Sequence, residues 1–225
     1  MCGLFCFVSK DEVSEDVINS SLEILKNRGP DARGVSKYRL GNYNVVLGHT
    51  RLSILDLSEK ANQPFSEDGF HLIFNGEIYN HLELRKKFLG NDNFQTTSDT
   101  ETLIKLFKKF DYSKFMHELR GMFSFVILNE HSHEIGVFRD RAGEKPLYIS
   151  SSENFLSFSS DLRVNRLMKG FDSNISRESV GKFLRYGYVP CPDTIYESSF
   201  KLSPGSKIKF NLKNLKLKKI TNIKE

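Results

Sequence analysis

Short apolar runs of strand character, with only a few helical stretches between them, most constrain the fold of this chain. Strands are predicted at 4–8, 45–47, 72–74, 122–128, 134–138, 147–151 and 155–159. Helices are predicted at 11–27, 100–110 and 176–186, with a last hairpin of 207–210 and 215–220. Clustered strands with helices at intervals favour an α+β layered sandwich over a doubly wound fold built from βαβ units.

The helix predicted at 100–110 has a recognisable start and an apolar side. Ser98 and Glu101 have the S-x-x-E spacing of a capping box, in which each of the two side chains accepts a hydrogen bond from the backbone N–H of the other residue. Leu103, Phe107 and Phe110 recur at helical spacing and are predicted to face inward.

Charge and cysteine content narrow the classes of function. The net charge of +5 comes from the end of the chain: residues 201–225 hold eight lysines and one acid, while the first 200 residues carry a small acidic excess. This clustering favours a lysine-rich strand edge or a solvated tail over a nucleic-acid surface. No apolar run is long enough to cross a membrane. Three cysteines without metal-ligand spacing predict neither a disulfide framework nor a metal site, and fit a reducing cytoplasm.

Cys2 is the first candidate for chemistry. The chain opens Met-Cys-Gly, so removal of Met1 would leave a thiol and a free α-amine on one residue. The thiol has an ordinary pKa near ~8.5 and the amine one near ~7.7–8.0, so the amine can accept the thiol proton close to neutral pH. The alternative is that Cys2 is a small apolar residue at the start of a buried strand.

Four further residues carry polar groups after apolar strands or at a helix start. Arg51 suits two-point capture of a carboxylate, or a solvated face. Asn75 and Gly76 offer two N–H donors that suit an oxyanion hole, or form an Asn-Gly turn. Asp99 favours the dipole of a helix start, and its carboxylate can also meet a ligand ammonium. His49, which precedes Arg51, is predicted to be a satisfied structural residue.

Taken together, these segments resemble one family. The motifs that carry the resemblance are Cys2-Gly3, RGPD, HTRLSILDLS, QPF, FNGEIYNHLELR, SDTE, LRGMFSFVI, RDRAGEKPLY and FSSDL. They resemble, in order and spacing, the class II glutamine amidotransferase domains, which are N-terminal-nucleophile hydrolases. Within that class they are similar to the glutaminase domain of glutamine-dependent asparagine synthetase. The resemblance covers nearly the whole chain and implies a four-layer αββα sandwich of antiparallel sheets, with Cys2 at the end of a central strand.

The resemblance also implies roles for site residues. Cys2 would be the nucleophile and its α-amine the base, with Asn75 and Gly76 as the oxyanion hole. The reaction would pass through a γ-glutamyl thioester and release ammonia and glutamate. The implied glutamine-binding residues are Arg51 for the α-carboxylate, with the backbone of Leu52 to Ile54 beside it, Glu77 and Asp99 for the α-ammonium, and Asn75.

The resemblance stops short of the synthetase half. No sequence similar to its SGGxDS loop occurs here, so ATP, Mg²⁺ and asparagine formation are expected on a synthetase domain outside this chain. A glutaminase domain is predicted at 2–210 and a lysine-rich tail leading toward that domain at 211–225. The expected partners are glutamine and a synthetase domain or subunit, with no nucleic acid and no membrane; a homodimer is left open.

Two alternatives to asparagine formation remain. The ammonia could serve an asparagine-synthetase-like enzyme with another acceptor, such as a natural-product or surface-polysaccharide precursor. The chain could also be a non-catalytic interaction module that has kept the fold. Such relics usually lose the nucleophile or the oxyanion donors, and this chain has Cys2, Asn75 and Gly76.

Overall fold

Two antiparallel β-sheets pack face to face and carry helices on their outer faces in the computed structural model, which describes residues 1–90 and 92–213. The strands are β1 (Gly3–Ser9), β2 (Ala32–Leu40), β3 (Tyr43–Arg51), β4 (Phe65–Glu67), β5 (Phe70–Ile78), β6 (Gly121–Asn129), β7 (Glu134–Arg139), β8 (Tyr148–Ser151), β9 (Phe155–Ser159), β10 (Ser199–Lys201) and β11 (Lys207–Asn211). One sheet has the order β10-β8-β9-β1-β3-β2 and the other β11-β7-β6-β5-β4, so β1 lies inside its sheet.

Five α-helices flank these sheets in the described part of the chain. They are α1 (Glu15–Leu25), α2 (His81–Leu84), α3 (Asp99–Lys109), α4 (Leu162–Asn165) and α5 (Arg177–Tyr186). A π-helical turn follows α2 at Arg85–Leu89, and 3₁₀ turns lie at Glu59–Ala61, Tyr112–Lys114 and Met116–Glu118.

Three apolar clusters hold the four layers together. The first lies between the sheets and contains alternate residues of the facing strands, such as Leu4, Leu47 and Ile73. The second joins the five-stranded sheet to α2 and α3. The third joins the six-stranded sheet to α1 and α4. The predicted α+β class and αββα layering are therefore confirmed, because each sheet buries one face on the other sheet and one face on helices.

Helix boundaries follow the capping residues more closely than the apolar pattern does. The first helix begins at Glu15 rather than at residue 11, because Ser14 is its N-cap and accepts a hydrogen bond from the Val17 N–H. The predicted capping box of α3 is half wrong. Ser98 caps the helix through the Thr100 N–H, but the Glu101 carboxylate accepts instead from the backbone of Gln95 and Thr96.

The structure adds three strands that the sequence pattern did not predict. They are β2, β4 and β10, and among the described residues each pairs with one neighbouring strand only. β2 has mostly partly exposed or exposed residues, so it lacks the apolar run on which strand prediction depends. An edge strand needs only one neighbour and little apolar surface.

The end of the chain differs from the predicted hairpin. β11 pairs with β7, and residues 215–220 lie outside the described part of the chain. Lys207 and Lys209 have exposed side chains on this edge strand, where lysine discourages pairing with other chains. The strand runs through Asn211, across the predicted division between 210 and 211, which stays a prediction. Among the described residues, no helix is long and apolar enough to cross a membrane.

Replacing Phe125 by alanine tests the packing of the second cluster. The ring is fully buried and stacks on Phe138 with 4.7 Å between ring centroids. We expect a loss of about 3–5 kcal/mol in the free energy of unfolding, because a cavity would remain between sheet and helix. Urea unfolding measures it, with Phe183→Ala on the exposed face of α5 as the matched control, expected to cost under about 1 kcal/mol. Equal losses in the two variants would contradict this packing.

Candidate active site

The predicted site residues gather at one end of the layer between the sheets. Apolar side chains alternate along the strands up to that end, with Leu4 in β1, Leu47 in β3 and Ile73 in β5. Because side chains on one face of a strand recur every second residue, the same faces continue into polar positions. The residues of this polar end are Cys2, His49, Arg51, Asn75 and Glu77.

Cys2 directly precedes β1 and contacts the chain after β3. Its Sγ accepts a hydrogen bond from the Leu52 N–H at 3.4 Å and lies 3.7 Å from the Leu52 carbonyl oxygen. Burial raises the pKa of the Cys2 thiol, and the Leu52 N–H partly opposes the shift. The thiol therefore needs a base to become a nucleophile near neutral pH. In the structure Met1 precedes Cys2, so the Cys2 nitrogen is an amide and lacks basicity.

Asn75 and Gly76 lie within β5 rather than in a turn, so the alternative of an Asn-Gly hairpin turn is wrong. Both polar atoms of the Asn75 side chain are buried and have no hydrogen-bond partner among the described residues. A buried amide left unpaired in this way costs roughly 1–3 kcal/mol, and such groups mark places where a ligand or water supplies the partner.

The edge of β5 explains why glycine follows Asn75. Both backbone groups of one residue in an antiparallel strand point to the same side, and successive residues alternate. The N–H groups of Phe74 and Ile78 point away from β6, since they donate to the Gln63 and Asp99 side chains. The Gly76 N–H therefore faces the same open edge. A Cβ at Gly76 would overlap the Met122 carbonyl oxygen, so no other residue fits here.

Glu77 and Asp99 form an acidic pair beside this edge. Burial, followed by the Asp99 charge, raises the pKa of Glu77 to about 7. Burial raises the pKa of Asp99 to about 6, although its carboxylate accepts the Ile78 N–H at 2.8 Å. Both groups therefore change charge near neutral pH, and a ligand cation between them would favour the charged forms.

Arg51 is buried and holds the loop that follows it. Its Nη1 donates to the Ser58 carbonyl and to Asn62 Oδ1, both at 2.8 Å, and its Nη2 donates to the Leu55 and Asp56 carbonyls. None of these acceptors is a carboxylate. The guanidinium charge has no ion-pair partner in the described part of the chain, while its donors shape the loop.

These groups line one small cavity of about 30 Å³, enough for one or two water molecules. Seven of the eight predicted residues line it, namely Cys2, Arg51, Leu52, Ile54, Gly76, Glu77 and Asp99. The eighth, Asn75, lies in β5 between Phe74 and Gly76, which both line the cavity. The described structure thus brings the predicted residues together, and their individual roles stay predictions.

Two residues matter here that the sequence analysis passed over or judged differently. Gln63 belongs to the QPF motif but was given no role of its own; it also lines the cavity, and its Oε1 accepts the Phe74 N–H at 2.6 Å. His49 was expected to be fully satisfied, and that is wrong for one nitrogen. Its Nε2 bonds the Phe74 carbonyl at 3.0 Å, while its buried Nδ1 has no partner among the described residues.

Comparison with known proteins agrees with this geometry. A family model described as a glutamine amidotransferase domain matches residues 1–221. A putative glutamine-hydrolyzing asparagine synthetase 2 of Methanocaldococcus jannaschii is 35% identical, over 97% of this chain and 46% of the relative. A Gibberella zeae protein named amidase chry2 is 35% identical, over 72% of this chain and 26% of the relative. The chain thus spans about half or less of the length of these curated relatives.

A solved structure shares the fold. The allosteric regulatory enzyme of purine biosynthesis superposes with a TM-score of 0.68 at 20% identity, over 99% of this chain and 50% of that one. The family match over nearly the whole length, the shared fold and the clustered polar residues agree. The chain belongs to the glutamine amidotransferase domain family.

Proposed function

We propose that this chain hydrolyses glutamine to glutamate and ammonia, with the Cys2 thiol as nucleophile. The observation that carries the proposal is the unpartnered Asn75 amide, which is buried in β5 next to Gly76, a residue that lines the same cavity as Cys2. A buried amide N–H without a partner, at the end of the sandwich that holds a thiol, suits an oxygen that becomes charged only during reaction.

The chemistry then needs few groups. Once Met1 is removed, the Cys2 α-amine takes the thiol proton, and the thiolate attacks the side-chain carbonyl carbon of glutamine. The carbon–sulfur bond forms as the π electrons move to oxygen, where the Gly76 N–H and Asn75 Nδ2–H stabilise the charge. When the tetrahedral intermediate collapses, its carbon–nitrogen bond breaks and the nitrogen takes a proton from the Cys2 α-ammonium. Ammonia leaves, and a thioester remains on Cys2. Water then attacks the thioester and releases glutamate.

The remaining pocket residues suit the two charges of an amino acid. Glu77 and Asp99 would hold the α-ammonium, and Arg51 with the backbone of Leu52 and Ile54 would hold the α-carboxylate. Because a cavity of about 30 Å³ is too small for glutamine, the loop after Arg51 would move outward on binding. That movement would free guanidinium donors, now on loop carbonyls, for the carboxylate.

The first test is glutamate release by the purified chain, with the N-terminal mass measured on the same sample. We expect release from protein that lacks Met1, and a loss of about 10³-fold or more in Cys2→Ala. Cys191→Ala is the matched control, because that thiol is exposed. Since a missing partner can silence turnover, alkylation of Cys2 by the glutamine analogue 6-diazo-5-oxo-L-norleucine is measured too. The absence of both glutamate release and Cys2-specific alkylation would overturn the proposal.

The acidic pair predicts opposite effects of Glu77→Gln on activity and stability. A carboxyl with a folded-state pKa of about 7 binds its proton more tightly folded than unfolded, so its contribution to stability is lost as pH rises from about 4.5 through 7. We expect Glu77→Gln to be more stable than the parent at pH 8 by about 1–2 kcal/mol, allowing for partial exposure, and equal at pH 4.

The same variant should bind glutamine more weakly at pH 8, because the negative charge facing the ammonium is gone. Urea unfolding at both pH values and the KM for glutamine measure the two effects. The control is Glu153→Gln, an exposed carboxyl outside the pocket. A variant that is equally stable at pH 8 and retains the parent KM would contradict the role of Glu77.

The ammonia acceptor lies beyond this chain. We propose that a synthetase portion, as in the asparagine synthetase relative, binds ATP and Mg²⁺ and uses the ammonia to convert aspartate to asparagine. The relative named an amidase favours a second candidate, in which the same glutaminase serves another acceptor. Assay of the complete enzyme with aspartate and ATP separates them, because only the first candidate forms asparagine.

α5 offers a surface for that portion. Phe183, Leu184, Tyr186 and Tyr188 form an exposed apolar group, here called the α5 face, and Leu184 is 79% exposed. Ser179 is the one buried residue of this ten-residue helix. Because so short a helix is marginal without packing, we propose that the synthetase portion covers the α5 face.

Leu184→Glu in the complete enzyme tests this surface. We expect a loss of at least about tenfold in glutamine-dependent product formation, with glutamate release retained, since a charge would replace a buried contact. Leu82→Glu, the same change at an exposed leucine of α2, is the control and should change neither. Unchanged coupling would contradict the proposal, as would a dimer of the purified chain that Leu184→Glu dissociates, because a second copy would then cover the face.

A further inference from the structure

Side chains form hydrogen bonds with the backbone groups at the open edge of β5, where no neighbouring strand of the described chain is paired with it. β4 pairs with β5 only as far as Phe65 opposite Leu72. Both backbone groups of Phe74 are nevertheless bonded: Gln63 Oε1 accepts its N–H at 2.6 Å, and His49 Nε2 lies 3.0 Å from its carbonyl oxygen. Two side chains therefore form the hydrogen bonds to the Phe74 backbone that a longer β4 would have formed.

The His49 bond connects the two halves of the candidate site. His49 belongs to β3, which pairs with β1 so that His49 lies opposite Leu4, two residues from Cys2. Phe74 belongs to β5 in the other sheet and directly precedes Asn75 and Gly76. The bond thus ties the strand of the proposed oxyanion hole to the strand of the nucleophile, across the interface between the sheets.

The Gln63 bond connects the same place to the helix that carries Asp99. While its Oε1 holds Phe74, its Nε2 donates to Thr100 Oγ1 at 3.4 Å in the first turn of α3. The Gln63 side chain is buried and uses both ends of its amide. The Gln63 side chain therefore connects β5 to α3, the two elements that flank the pocket.

The chemical state of His49 supports a positioning role. Burial lowers the pKa of His49 to about 4, so the ring is neutral at neutral pH. The Phe74 carbonyl can only accept, so Nε2 carries the proton and Nδ1 is a buried acceptor without a partner among the described residues. Val45 and Leu47, on the same face of β3, fill equivalent positions with apolar side chains. Sheet packing alone gives no reason for a histidine here.

We propose that His49 and Gln63 are positioning residues for glutamine hydrolysis. Together they replace the missing strand at Phe74 and hold the Asn75 and Gly76 donors at a set distance from Cys2. This inference rests on the proposed glutaminase function and adds two residues that act through the backbone of β5 rather than on the substrate. Small displacements of an oxyanion hole are costly, because its donors must meet the oxygen where charge develops.

The test compares side chains of similar length that keep or remove the bonds. His49→Gln keeps an N–H donor for the Phe74 carbonyl, whereas His49→Met and Gln63→Met remove their bonds. Gln95→Met is the matched control, because the Gln95 side chain is exposed. Asn75→Ala gives the effect of losing a donor outright. For each variant the kcat and KM for glutamine are measured, with the unfolding midpoint to establish folding.

A second readout separates positioning from general structure. Glutamate γ-semialdehyde accepts the Cys2 thiol at its aldehyde carbon: the carbon–sulfur bond forms, the oxygen takes the thiol proton, and nothing is oxidised or reduced. The tetrahedral adduct places its oxygen at the hole, whereas the product glutamate does not need the hole. Affinity for the aldehyde therefore measures how well the oxyanion hole is positioned, and affinity for glutamate measures binding by the rest of the pocket.

We expect both Met variants to lose about tenfold to a hundredfold in kcat and in aldehyde affinity, with KM and glutamate affinity within about threefold of the parent. His49→Gln should recover most of the loss, and Gln95→Met should lose nothing. Folded Met variants with parental kcat and aldehyde affinity would overturn the inference. So would equal losses of aldehyde and glutamate affinity, or loss of the folded state in both Met variants, because the bonds would then serve stability alone.

Failure of the proposed function gives a different result. In that case the parent protein itself shows neither Cys2-dependent glutamate release nor an aldehyde adduct at Cys2. A parent that forms the adduct, together with Met variants that form it equally well, rejects only the positioning role.

Discussion

Packing of alternate side chains between the two sheets is the constraint on which the rest of the structure depends. Leu4 and Leu47 of one sheet and Ile73 of the other lie in that layer, and the same faces continue to Cys2, Arg51 and Asn75. A slip of one residue in β1 or β5 would turn the apolar set outward and the nucleophile away from the amide. The core and the candidate site are therefore set by one register, and neither can change without the other.

The polar end lowers the stability that this packing supplies. The Asn75 amide and His49 Nδ1 are buried without partners among the described residues, at roughly 1–3 kcal/mol for each unsatisfied group. Glu77 and Asp99 add to this, since burial raises the pKa of each. Protein sites that must act on a ligand commonly trade stability for function in this way. A bound amino acid would supply a cation to the acids and an oxygen to the amide, so ligand binding and stability are coupled here.

The sequence predicted the strands and helices that show a period-two or helical pattern of apolar residues. It missed the features that depend on tertiary contacts. The seven strands predicted from apolar runs all exist, and β2 was missed because an edge strand carries little apolar pattern. Glu101 has capping-box spacing, yet its carboxylate accepts from the backbone before the helix. The role of Gln63 could not be predicted from its QPF motif, since that role depends on where β4 ends, which only the folded chain reveals. Cys2 and Asn75 could be chosen as candidates because a thiol that can carry a free amine and an amide beside glycine suit one reaction, and their roles stay predictions.

The shortness of β4 is what makes this end of the sandwich available for chemistry. Had β4 paired with β5 through Ile78, the ladder would have used every N–H on that side of the strand, including that of Gly76. Side chains from other elements bond Phe74 and Ile78 instead, one on each side of Gly76. A side chain can form a hydrogen bond with one backbone group and leave the next one along the edge unbonded, whereas a paired strand would bond both. The open edge thus keeps β5 ordered while one backbone donor faces the pocket that holds the thiol.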